Sequence, residues 1–536
     1  MGIYVNSGNE GFKSALNSQI YIDKTGMLEY TNRVLNTESR YICVSRPRRF
    51  GKSITAQMLV AYYDKTCDSK EMFRNFEIAK SPDFEKHLNQ YNVIHVDVND
   101  FLHRTDFETK QPVTAMQAIA LFQSNIIEEL KAIFPDSVIE MDVDLPTTLA
   151  KIHADTGTQF IIIIDEWDTL FREKKQDAKA QNAYIELLRG LFKDARSKKF
   201  LKLAYLTGIL PIKKYNTQSA LNNFDEFTMT NPLVFSKYVG FTKDEVQSLC
   251  KQYDMDFDEI QYWYDGYSFK DDLHIYNPNS VVKAMIFGEC NNYWTRTETY
   301  ESLRGYISMN FDGLKDAVVQ MIAGGRYKVN PDKFQNDIVS FHSKDDILTL
   351  LIHLGYLAYD FMKREAYIPN EEVRGEFRNA IEDSGWEPVI DAIEASDRLL
   401  KATWEKDELV VAKGIEKVHM EQISVLSYND ENSLSCVISL AYYNAINEYT
   451  LVREMPAGKG YADIVFLPRK HSNKPAMVVE LKYDQSAEGA IEQIKERKYM
   501  QILEAYRGNI LLVGINYDKK NKEHHCRIEE WNQCEI

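Results

Sequence analysis

The sequence lacks the features that mark several protein classes. Residues 160–164, the apolar stretch beside a motif, are far short of the ~20 residues that cross a bilayer. The N-terminus has no basic segment followed by an apolar one, so no secretory signal is expected. The seven cysteines include no CxxC pair, which favours reduced thiols over a zinc site or a disulfide framework. These absences predict a cytoplasmic protein with no membrane partner.

An excess of positive charge is also missing. The 64 Lys and Arg residues face 80 Asp and Glu residues, for a formal net charge of −16. This balance counts against a protein that coats nucleic acid along its whole surface. In residues 440–536, however, fourteen basic residues match fourteen acidic ones, so the negative excess lies in residues 1–439. A small face that contacts nucleic acid therefore stays compatible with the sequence.

The composition that is present is that of a globular protein. Apolar residues make up 44% and charged residues 27% of the 536 positions, a length that suggests about three or four domains. Alternating strands and helices predict an α/β domain around a largely parallel sheet in residues 1–225. Residues 226–405 are predicted to form a mostly helical middle domain, and residues 406–536 a smaller α/β domain. Strands are predicted at 41–45, 93–98, 160–164, 200–207, 462–467, 477–482 and 509–516, and helices include 115–134, 344–360, 434–448 and 487–503.

A phosphate-binding loop is predicted at residues 46–53, RPRRFGKS. The segment lies between a short apolar strand and a helix, and it matches GxxxxGK[ST] except that Arg46 replaces the first glycine. Gly51 lets backbone amides approach phosphate, Lys52 reaches the β- and γ-phosphates, and Ser53 is placed to ligate Mg²⁺ at a helix N-terminus. A basic turn that caps an ordinary helix explains the loop equally well when it is taken alone. The predicted nucleotide contacts here are Arg49, Phe50, Gly51, Lys52, Ser53 and Ile54.

Residues 160–166, FIIIIDE, favour nucleotide binding over the basic turn that caps an ordinary helix. Four isoleucines followed by two acids are typical of a buried parallel strand that ends at a ligand-binding edge. Asp165 is predicted to hold the Mg²⁺ shell and Glu166 to polarise the attacking water. A buried strand that merely ends in exposed acids is the alternative. Hydrolysis also needs an additional cation, which the sequence does not identify.

Two further segments are candidates for the same site. Thr207 ends a predicted strand where P-loop ATPases of the AAA-like and related groups place a sensor for the γ-phosphate or the water. A cap of the following turn is the favoured alternative for Thr207. Residues 21–25, YIDKT, either lie by the nucleotide base or form a helix start capped by Asp23.

A second constellation of chemistry-bearing residues lies near the C-terminus. Glu480 and Lys482 are two apart in a predicted strand and therefore project to one face, and Asp463 on the neighbouring strand adds a second carboxylate. Two carboxylates, with water in the remaining positions, suit Mg²⁺, and the lysine is placed to orient or deprotonate the attacking water and to stabilise charge on a scissile phosphate. Glu448 on the preceding helix is a candidate to complete the metal shell. Gln493 on the following helix is a candidate to support the lysine or to contact the DNA backbone. A solvated edge of a small α/β domain is the alternative.

Taken together, these motifs resemble a bacterial family of AAA-ATPase-like proteins with a C-terminal PD-(D/E)xK nuclease domain. The resemblance is carried in order by YxDKT, RPRRFGKS, IIIIDEWD, WYDGY with YNP, and GKGYADIVF followed by VVELKY. The family's phosphate loop also lacks the first glycine, and Ala462 stands where the nuclease motif is named for proline. The resemblance implies ATPase roles for Lys52, Ser53, Asp165 and Glu166, and nuclease roles for Asp463, Glu480 and Lys482. WYDGY and YNP are interpreted as structural, in a lid or winged-helix-like unit over the nucleotide site.

The leading hypothesis is an ATP-binding and ATP-hydrolysing protein that regulates a Mg²⁺-dependent nuclease acting on nucleic acid, with DNA favoured. The alternative is a nucleotide-dependent signalling or assembly switch whose C-terminal domain binds nucleic acid or protein without cleaving it. ATP and Mg²⁺ are the expected cofactors. Self-association into a homo-oligomer is left open.

Overall fold

The computed structural model describes most of the chain. Outside the described residues lie 1, 106–109, 138–142, 213, 216–217, 220, 271–272, 295–298, 310, 312, 335–340, 385, 423–436, 458–459, 470–471, 484, 497–508, 519, 522 and 532–536. The chain divides into a first unit, Met1–Thr299 with Lys328–Arg374, and a second unit, Tyr300–Tyr327 with Gly375–Ile536. The predicted domain borders at 225/226 and 405/406 stay predictions.

The first unit is built around a parallel sheet of strand order β2-β3-β4-β1-β7. Its strands are β1 Tyr41–Ser45, β2 Asn92–Asp97, β3 Phe160–Asp165, β4 Leu201–Gly208 and β7 Asp225–Phe227, and β5 Lys214–Tyr215 pairs separately with β6 Gln218–Ser219. β1 and β3 are buried along their whole length, as their unbroken apolar sequences predict for a parallel sheet covered on both faces. Because the strands are parallel, their carboxyl ends share one edge, where β4 lies between β3 and β1. The predicted largely parallel α/β sheet is confirmed.

Helices pack around this sheet in the first 225 residues. The longest, Ala115–Ile133, begins with a capping box in which Thr114 and Gln117 satisfy each other's backbone N–H groups. In the described part of these residues, the helices and a 3₁₀ segment are Glu10–Leu16, Met27–Val34, Lys52–Tyr63, Lys70–Phe73, Glu77–Lys80 (3₁₀), Phe84–His87, Asn99–Leu102, Ala115–Ile133, Leu145–Thr156, Thr169–Glu173, Ala178–Phe192 and Ser197–Phe200. The buried residues of the helices from Asn99–Leu102 to Ser197–Phe200 pack with one face of the sheet in an apolar core.

Helices predominate over strands in the described part of residues 226–405, as the sequence predicts, and short strands that it did not predict lie between them. The 3₁₀ segments and helices in this part of the first unit are Leu233–Phe235 (3₁₀), Lys243–Tyr253, Phe257–Tyr264, Pro278–Phe287, Pro331–Lys333 (3₁₀) and Lys344–Leu354, followed by Glu371–Asp383. Between them lie β8 Phe241–Thr242, β9 Tyr267–Phe269 and β10 Leu273–Tyr276 in a small antiparallel sheet, then β11 Tyr327–Lys328 and a hairpin of β12 Ala358–Asp360 and β13 Glu365–Tyr367. The predicted helix 344–360 is wrong beyond Leu354, because Gly355 adopts a left-handed conformation (φ +89°) that ends the helix.

The WYDGY and YNP segments build turns in this part of the first unit. Gly266 has φ +114°, and a Cβ there would overlap the carbonyl oxygen of Pro369. The carboxylate of Asp265 accepts a hydrogen bond from the Gly266 N–H at 2.6 Å. Asn277 caps the helix Pro278–Phe287 by accepting from the N–H of Asn279 at 3.0 Å. The side chains that carry these motifs therefore stabilise backbone turns.

The second unit combines helices with a five-stranded sheet of order β14-β15-β16-β17-β18. Its strands are β14 Tyr449–Ala457, β15 Gly460–Pro468, β16 Ala476–Tyr483, β17 Ile510–Asp518 and β18 Glu523–Glu530, of which only β16 and β17 are parallel neighbours. Its helices are Thr299–Ile307, Leu314–Ile322, Glu387–Trp404, Glu408–Gln422 and Ala487–Glu496, with a 3₁₀ turn at Tyr443–Asn447. The predicted strands 462–467, 477–482 and 509–516 are thus confirmed.

Two predicted C-terminal helices are confirmed in part. Residues 437–441 are helical, but the chain then tightens into the 3₁₀ turn Tyr443–Asn447, so the predicted helix 434–448 does not reach Glu448. The helix predicted at 487–503 is described as Ala487–Glu496, and the rest of the prediction lies outside the described residues. No helix in the described part of the chain has the length and apolar character needed to cross a membrane.

Candidate functional site

The turn between β1 and the helix Lys52–Tyr63 has the backbone of an anion-binding loop. Arg49 (φ +69°) and Gly51 (φ +90°) both adopt left-handed conformations, which are uncommon for a residue with a side chain. The helix begins at Lys52 directly after Gly51. Its first N–H groups and the positive end of its dipole therefore lie at the loop, where they favour a phosphate.

Arg46, which replaces the expected glycine, holds the start of this loop in place. Its side chain is fully buried and donates hydrogen bonds to the carbonyl oxygens of Ser45 (2.9 Å), Phe227 (3.1 Å) and Phe235 (3.4 Å). Its guanidinium lies 5.3 Å from the ring centre of Phe269, and burial lowers its pKa to about 10. The arginine thus ties the loop to β7 and to the segment that follows it.

A cavity of about 930 Å³ opens over the loop. This volume is within the range of ligand-binding pockets. The cavity is lined by every loop residue that the sequence proposes as a nucleotide contact, namely Arg49, Phe50, Gly51, Lys52, Ser53 and Ile54. Lys52 is buried, and its ammonium lies 3.1 Å from the carbonyl oxygen of Pro47 and 3.6 Å from Glu166 Oε1.

Acidic side chains gather beside the loop at the ends of β2 and β3. Asp165 is 2% exposed and accepts a hydrogen bond from Ser53, the partner expected if the two residues share a metal ion. Burial raises the pKa of Asp165 to about 6 against the lowering effect of Ser53. Asp97 pairs with Asp165 in the strand register, and burial together with the Asp165 charge raises the pKa of Asp97 to about 7. The pair therefore has a high affinity for positive charge.

Glu166 lines the cavity and is held by two cations. Its backbone is left-handed (φ +50°), which turns its side chain away from the direction of β3. The carboxylate pairs with Lys52 and accepts a hydrogen bond from Arg172 Nη2. Burial would raise the pKa of Glu166, but the charges of Lys52 and Arg172 outweigh it and lower that pKa. Glu166 is therefore a carboxylate at the cavity wall.

Arg172 is itself anchored from behind. Its Nε donates to Asp168 Oδ2 at 2.9 Å, and Nη2 donates to the hydroxyl of Thr169 at 2.9 Å. Asp168 is completely buried and also accepts from the N–H groups of Ile209 (3.2 Å) and Leu210 (2.8 Å), which follow β4. The guanidinium is thus fixed relative to both β3 and β4 while it lines the cavity.

The YIDKT segment is at the cavity as well. Tyr21, Ile22 and Lys24 line it, whereas the Asp23 carboxylate accepts from the N–H groups of Thr25 (2.8 Å) and Glu77 (2.7 Å). The following helix begins at Met27 and has no side-chain cap, so the interpretation of Asp23 as a helix cap is wrong. Asp23 instead closes a turn that places its neighbours at the cavity.

The second unit brings Asp463 and Glu480 to the boundary between β15 and β16. These strands pair antiparallel as far as Ile464 opposite Val479, so the next pair in register is Asp463 opposite Glu480. Residues directly opposite in such a pair project to the same face with Cβ atoms ~5 Å apart. The Asp463 carboxylate accepts a hydrogen bond from the N–H of Leu481 at 2.7 Å, which replaces the next backbone pairing. Glu480 is 1% exposed.

Lys482 and Gln493 complete this arrangement. The Lys482 ammonium lies 3.3 Å from Glu480 Oε1 and donates to Gln493 Oε1 at 2.5 Å, while Gln493 Nε2 donates to the same Glu480 oxygen. Gln493 comes from the helix Ala487–Glu496, which packs against β17 at Gly514, the residue paired with Glu480. A Cβ at Gly514 would overlap the carbonyl oxygen of Ala487, so glycine permits the close approach of this helix.

Family models match both the region of the phosphate loop and the region of Asp463 and Glu480. The family described as predicted AAA-ATPase matches residues 9–217, and the PD-(D/E)XK nuclease superfamily matches residues 429–527. The chain joins an AAA-ATPase-like domain to a C-terminal PD-(D/E)XK nuclease superfamily domain. The resemblance and the fold class predicted from the sequence are thereby confirmed. The phosphate loop, β3 and β4 lie within the AAA-ATPase-like match, and Asp463, Glu480, Lys482 and Gln493 lie within the nuclease superfamily match.

Individual relatives add little about activity. An uncharacterized protein in the vnfD 5′ region of Azotobacter chroococcum mcd 1 is 23% identical over 285 residues, which are 52% of this chain and 51% of that protein. The chain thus spans about half the length of this curated relative. Solved structures aligned over 70% of this chain include the ORC2 protein of Aeropyrum pernix (TM-score 0.30, 11% identity, 98% of that chain), DnaA of Aquifex aeolicus (0.26, 10%, 91%) and Cdc6p of Pyrobaculum aerophilum (0.22, 10%, 98%). Likenesses this weak carry no argument about function.

Two predicted residues lie apart from the centres they were assigned to. Tyr449 pairs with Pro468 on β15, and Asp463 lies five residues before Pro468, about 17 Å away at a rise of ~3.3 Å per residue. Glu448 precedes Tyr449 and accepts from Ser472 at 2.7 Å, so the structure does not bring it into the Asp463–Glu480 pair of the nuclease domain. Thr207 of the AAA-ATPase-like domain is fully buried and is not among the residues that line the cavity; its carbonyl oxygen accepts from the N–H of Trp167 at 3.0 Å.

The structure adds residues that the sequence argument did not single out. Arg172 lines the cavity, Asp97 lies beside Asp165 at the ends of β2 and β3, and Gly514 permits the close approach of the helix that carries Gln493. Asp168 and Arg172 are four residues apart in the segment that follows β3. This spacing is typical of an ion pair on a helix, so their contact could have been predicted from the sequence. No sequence signal linked Gly514 to Glu480. Within the described ranges, no group of three or more His, Cys, Asp or Glu side chains forms a ready-made metal cage.

Proposed function

We propose that this protein binds and hydrolyses ATP and thereby regulates a Mg²⁺-dependent nuclease that cleaves phosphodiester bonds in DNA. The observation that carries the proposal is the presence, on one chain, of a phosphate-loop cavity with two acids and an Asp–Glu–Lys–Gln centre. Each centre suits the chemistry of its matched family. We place this activity in the cytoplasm, where the scattered cysteines of the sequence would stay reduced.

The nucleotide site assigns a task to each side chain at the cavity. The start of the helix Lys52–Tyr63 and the Lys52 ammonium bind the phosphates, and Glu166 orients the attacking water and accepts its proton. The donor set also fits a divalent cation, because the Ser53 hydroxyl and the Asp165 carboxylate are hydrogen-bonded neighbours and oxygen ligands suit Mg²⁺. Bound there, Mg²⁺ would neutralise phosphate charge.

The proposed nuclease centre likewise assigns a task to each side chain. Asp463 and Glu480 lie next to the last paired residues of neighbouring strands, with the Asp463 carboxylate bonded to the N–H of Leu481, and they offer the oxygen ligands of a Mg²⁺ site, with water completing the shell. Mg²⁺ held there would polarise the scissile phosphate. Lys482, held by Gln493 and Glu480, orients the attacking water and stabilises negative charge that develops on the phosphate. The balanced charge of residues 440–536 leaves such a site accessible to a polyanion.

The test is a cleavage assay on the full chain. Supercoiled plasmid, linear DNA and RNA are incubated with Mg²⁺, with and without ATP, and the products are compared for the wild type and Lys482→Ala. Lys495→Ala is the matched control, because Lys495 lies on the helix that carries Gln493 but pairs at the surface with Glu529 at 2.6 Å. We expect DNA cleavage that ATP changes, that EDTA stops and that only Lys482→Ala abolishes.

Three results would contradict parts of this proposal. Identical products from the wild type and Lys482→Ala exclude the nuclease assignment. Cleavage that is unaffected by ATP and by Lys52→Ala excludes regulation. Binding of DNA and ATP with no cleavage or turnover favours a nucleotide-dependent switch that does not cleave.

A further inference from the structure

We infer that Arg172 is the cation of the ATPase reaction, supplied by the same chain and contacting the γ-phosphate in the transition state. This inference rests on the proposed ATPase function and deepens it. Hydrolysis of ATP spreads negative charge over the transferring phosphoryl oxygens, and a positioned arginine is an effective way to stabilise that charge.

An arginine that stabilises the transition state must reach the γ-phosphate, and the location of Arg172 at the cavity allows this. Its side chain lines the cavity together with Lys52, Ser53 and Glu166, and only 10% of it is exposed. An arginine in such a sheltered position interacts with phosphate more strongly than one in open water. Burial would lower the pKa of Arg172, but the Asp168 and Glu166 carboxylates raise it, so the side chain stays charged.

The anchoring of Arg172 meets a second requirement, which is preorganisation. Nε is held by Asp168, and Nη2 is shared between Thr169 and Glu166. Asp168 is in turn fixed by two backbone N–H groups after β4. Among the described residues no hydrogen bond from Nη1 is observed, so this nitrogen is available to a ligand while the others keep the guanidinium in place.

The pairing with Glu166 links the cation to the water that attacks. Glu166 takes the proton of the water while the water oxygen bonds to the γ-phosphorus. The bond from that phosphorus to the β–γ bridging oxygen breaks, and its electron pair leaves with ADP. A guanidinium that holds Glu166 with one nitrogen and a γ-phosphate oxygen with another aligns the water with the phosphorus. Lys52, the other cation on Glu166, is then drawn to the phosphates.

The experiment compares the wild type, Arg172→Ala and Arg172→Lys in the full chain. Arg189→Ala is the matched control, since Arg189 pairs with Glu186 at the surface and 46% of its side chain is exposed. Two quantities are measured for each: ATP turnover, and affinity for ADP with and without aluminium fluoride, which imitates the transferring phosphoryl group. We expect Arg172→Ala to lower kcat about a hundredfold or more, to change the Kd for ADP by less than about threefold, and to lose the extra affinity that aluminium fluoride gives.

Arg172→Lys tests the inference if the alanine variant does not fold. It preserves a charge beside Asp168, but its single ammonium cannot hold Glu166 and a phosphate oxygen in the fork geometry of arginine. Its aluminium fluoride discrimination should therefore fall, and a lysine variant equal to the wild type in both measurements overturns the inference.

The remaining outcomes distinguish a failure of the inference about Arg172 from a failure of the proposed ATPase function. Normal turnover in Arg172→Ala overturns the inference alone, and so does slow turnover with intact aluminium fluoride discrimination, because Arg172 then acts only through Glu166. Turnover per chain that rises with protein concentration, together with an unaffected Arg172→Ala, assigns the cation to a second chain. A wild type that binds ATP but neither turns it over nor discriminates aluminium fluoride overturns the inference and the ATPase function together.

Discussion

Gly514→Ala offers a direct test of how the fold positions the proposed nuclease centre. The new Cβ would overlap the carbonyl oxygen of Ala487 and come within 3.0 Å of Ala490 Cβ. Carbon atoms pack at ~3.5–4.0 Å, so the helix Ala487–Glu496 must withdraw from β17 by about 0.5–1 Å. That shift would stretch the 2.5 Å contact between Lys482 and Gln493 toward ~3.2 Å, the limit of a good hydrogen bond.

Two effects follow from the displacement. Overpacking lowers the free energy of unfolding by about 1–3 kcal/mol. In the proposed nuclease reaction, misplacing Lys482 by a fraction of an ångström to 1 Å should lower the rate about tenfold to a hundredfold. DNA cleavage should therefore fall by that factor while ATP turnover, which depends on the first unit, stays unchanged.

The assay measures plasmid cleavage, ATP turnover and thermal unfolding on the same preparation. Gly305→Ala is the matched control, because no atom lies within 4 Å of a Cβ at that exposed helical position. We expect it to keep wild-type cleavage and to gain a few tenths to about 1 kcal/mol of stability. Wild-type cleavage and unchanged unfolding in Gly514→Ala would refute the idea that close helix approach at β17 holds Gln493 against Lys482.

Further predictions concern the first unit. Lys52→Ala removes a charge-assisted contact to phosphate, so the Kd for ATP in a calorimetric titration should rise about tenfold to a hundredfold, whereas the exposed Lys13→Ala should leave it unchanged; equal affinities would remove Lys52 from the site. Arg46→Met leaves the carbonyl oxygens of Ser45, Phe227 and Phe235 without their donor, so urea unfolding should show a loss of about 3 kcal/mol, and an unperturbed midpoint would contradict the structural role of Arg46. Burial lowers the pKa of His353 to about 4, below the ~6.5 of an unfolded histidine, so the unfolded chain binds the extra proton first and stability falls as the pH drops from about 6.5 toward 4. The contribution of His353 at pH 5 should be about 2 kcal/mol, so His353→Leu should lose about 2 kcal/mol less stability than the wild type between pH 7 and pH 5, while the buried His95, whose pKa is also lowered to about 4, keeps its own pH dependence. Equal losses in the wild type and His353→Leu would contradict the contribution of His353.

Sequence patterns were most informative where local chemistry and chain order coincide. Residues 46–53 required a turn after a buried strand, and the isoleucine run before Asp165 required a strand buried on both faces; both follow from side-chain volume and polarity along the chain. The prediction for residues 344–360 failed for an equally local reason, since a single left-handed Gly355 ends the helix and the apolar residues beyond it form β12. Periodicity alone does not distinguish these outcomes in a short apolar stretch.

The candidate sites show the same division. Alternation along β16 was enough to place Glu480 and Lys482 on one face, whereas the exclusion of Glu448 depended on the pairing of Tyr449 with Pro468, at the far end of β15 from Asp463. Pairing between strands joins residues that no local pattern connects, so a carboxylate close in sequence is not thereby close in space.

The sequence by itself determined which functional groups this protein contains. They are a phosphate loop without its first glycine, two acids after a buried strand, and an Asp–Glu–Lys set in a small α/β domain. The absence of excess positive charge did not remove nucleic acid from consideration, because the last hundred residues are neutral. Only the tertiary structure decided that Arg46 is a buried residue that hydrogen-bonds the loop to neighbouring segments. It also decided that Arg172 is the second cation at Glu166, and that Gly514 permits close packing of the helix carrying Gln493. These three roles depend on burial and on contacts between elements distant in sequence, which are properties of the packed chain and not of any segment of it.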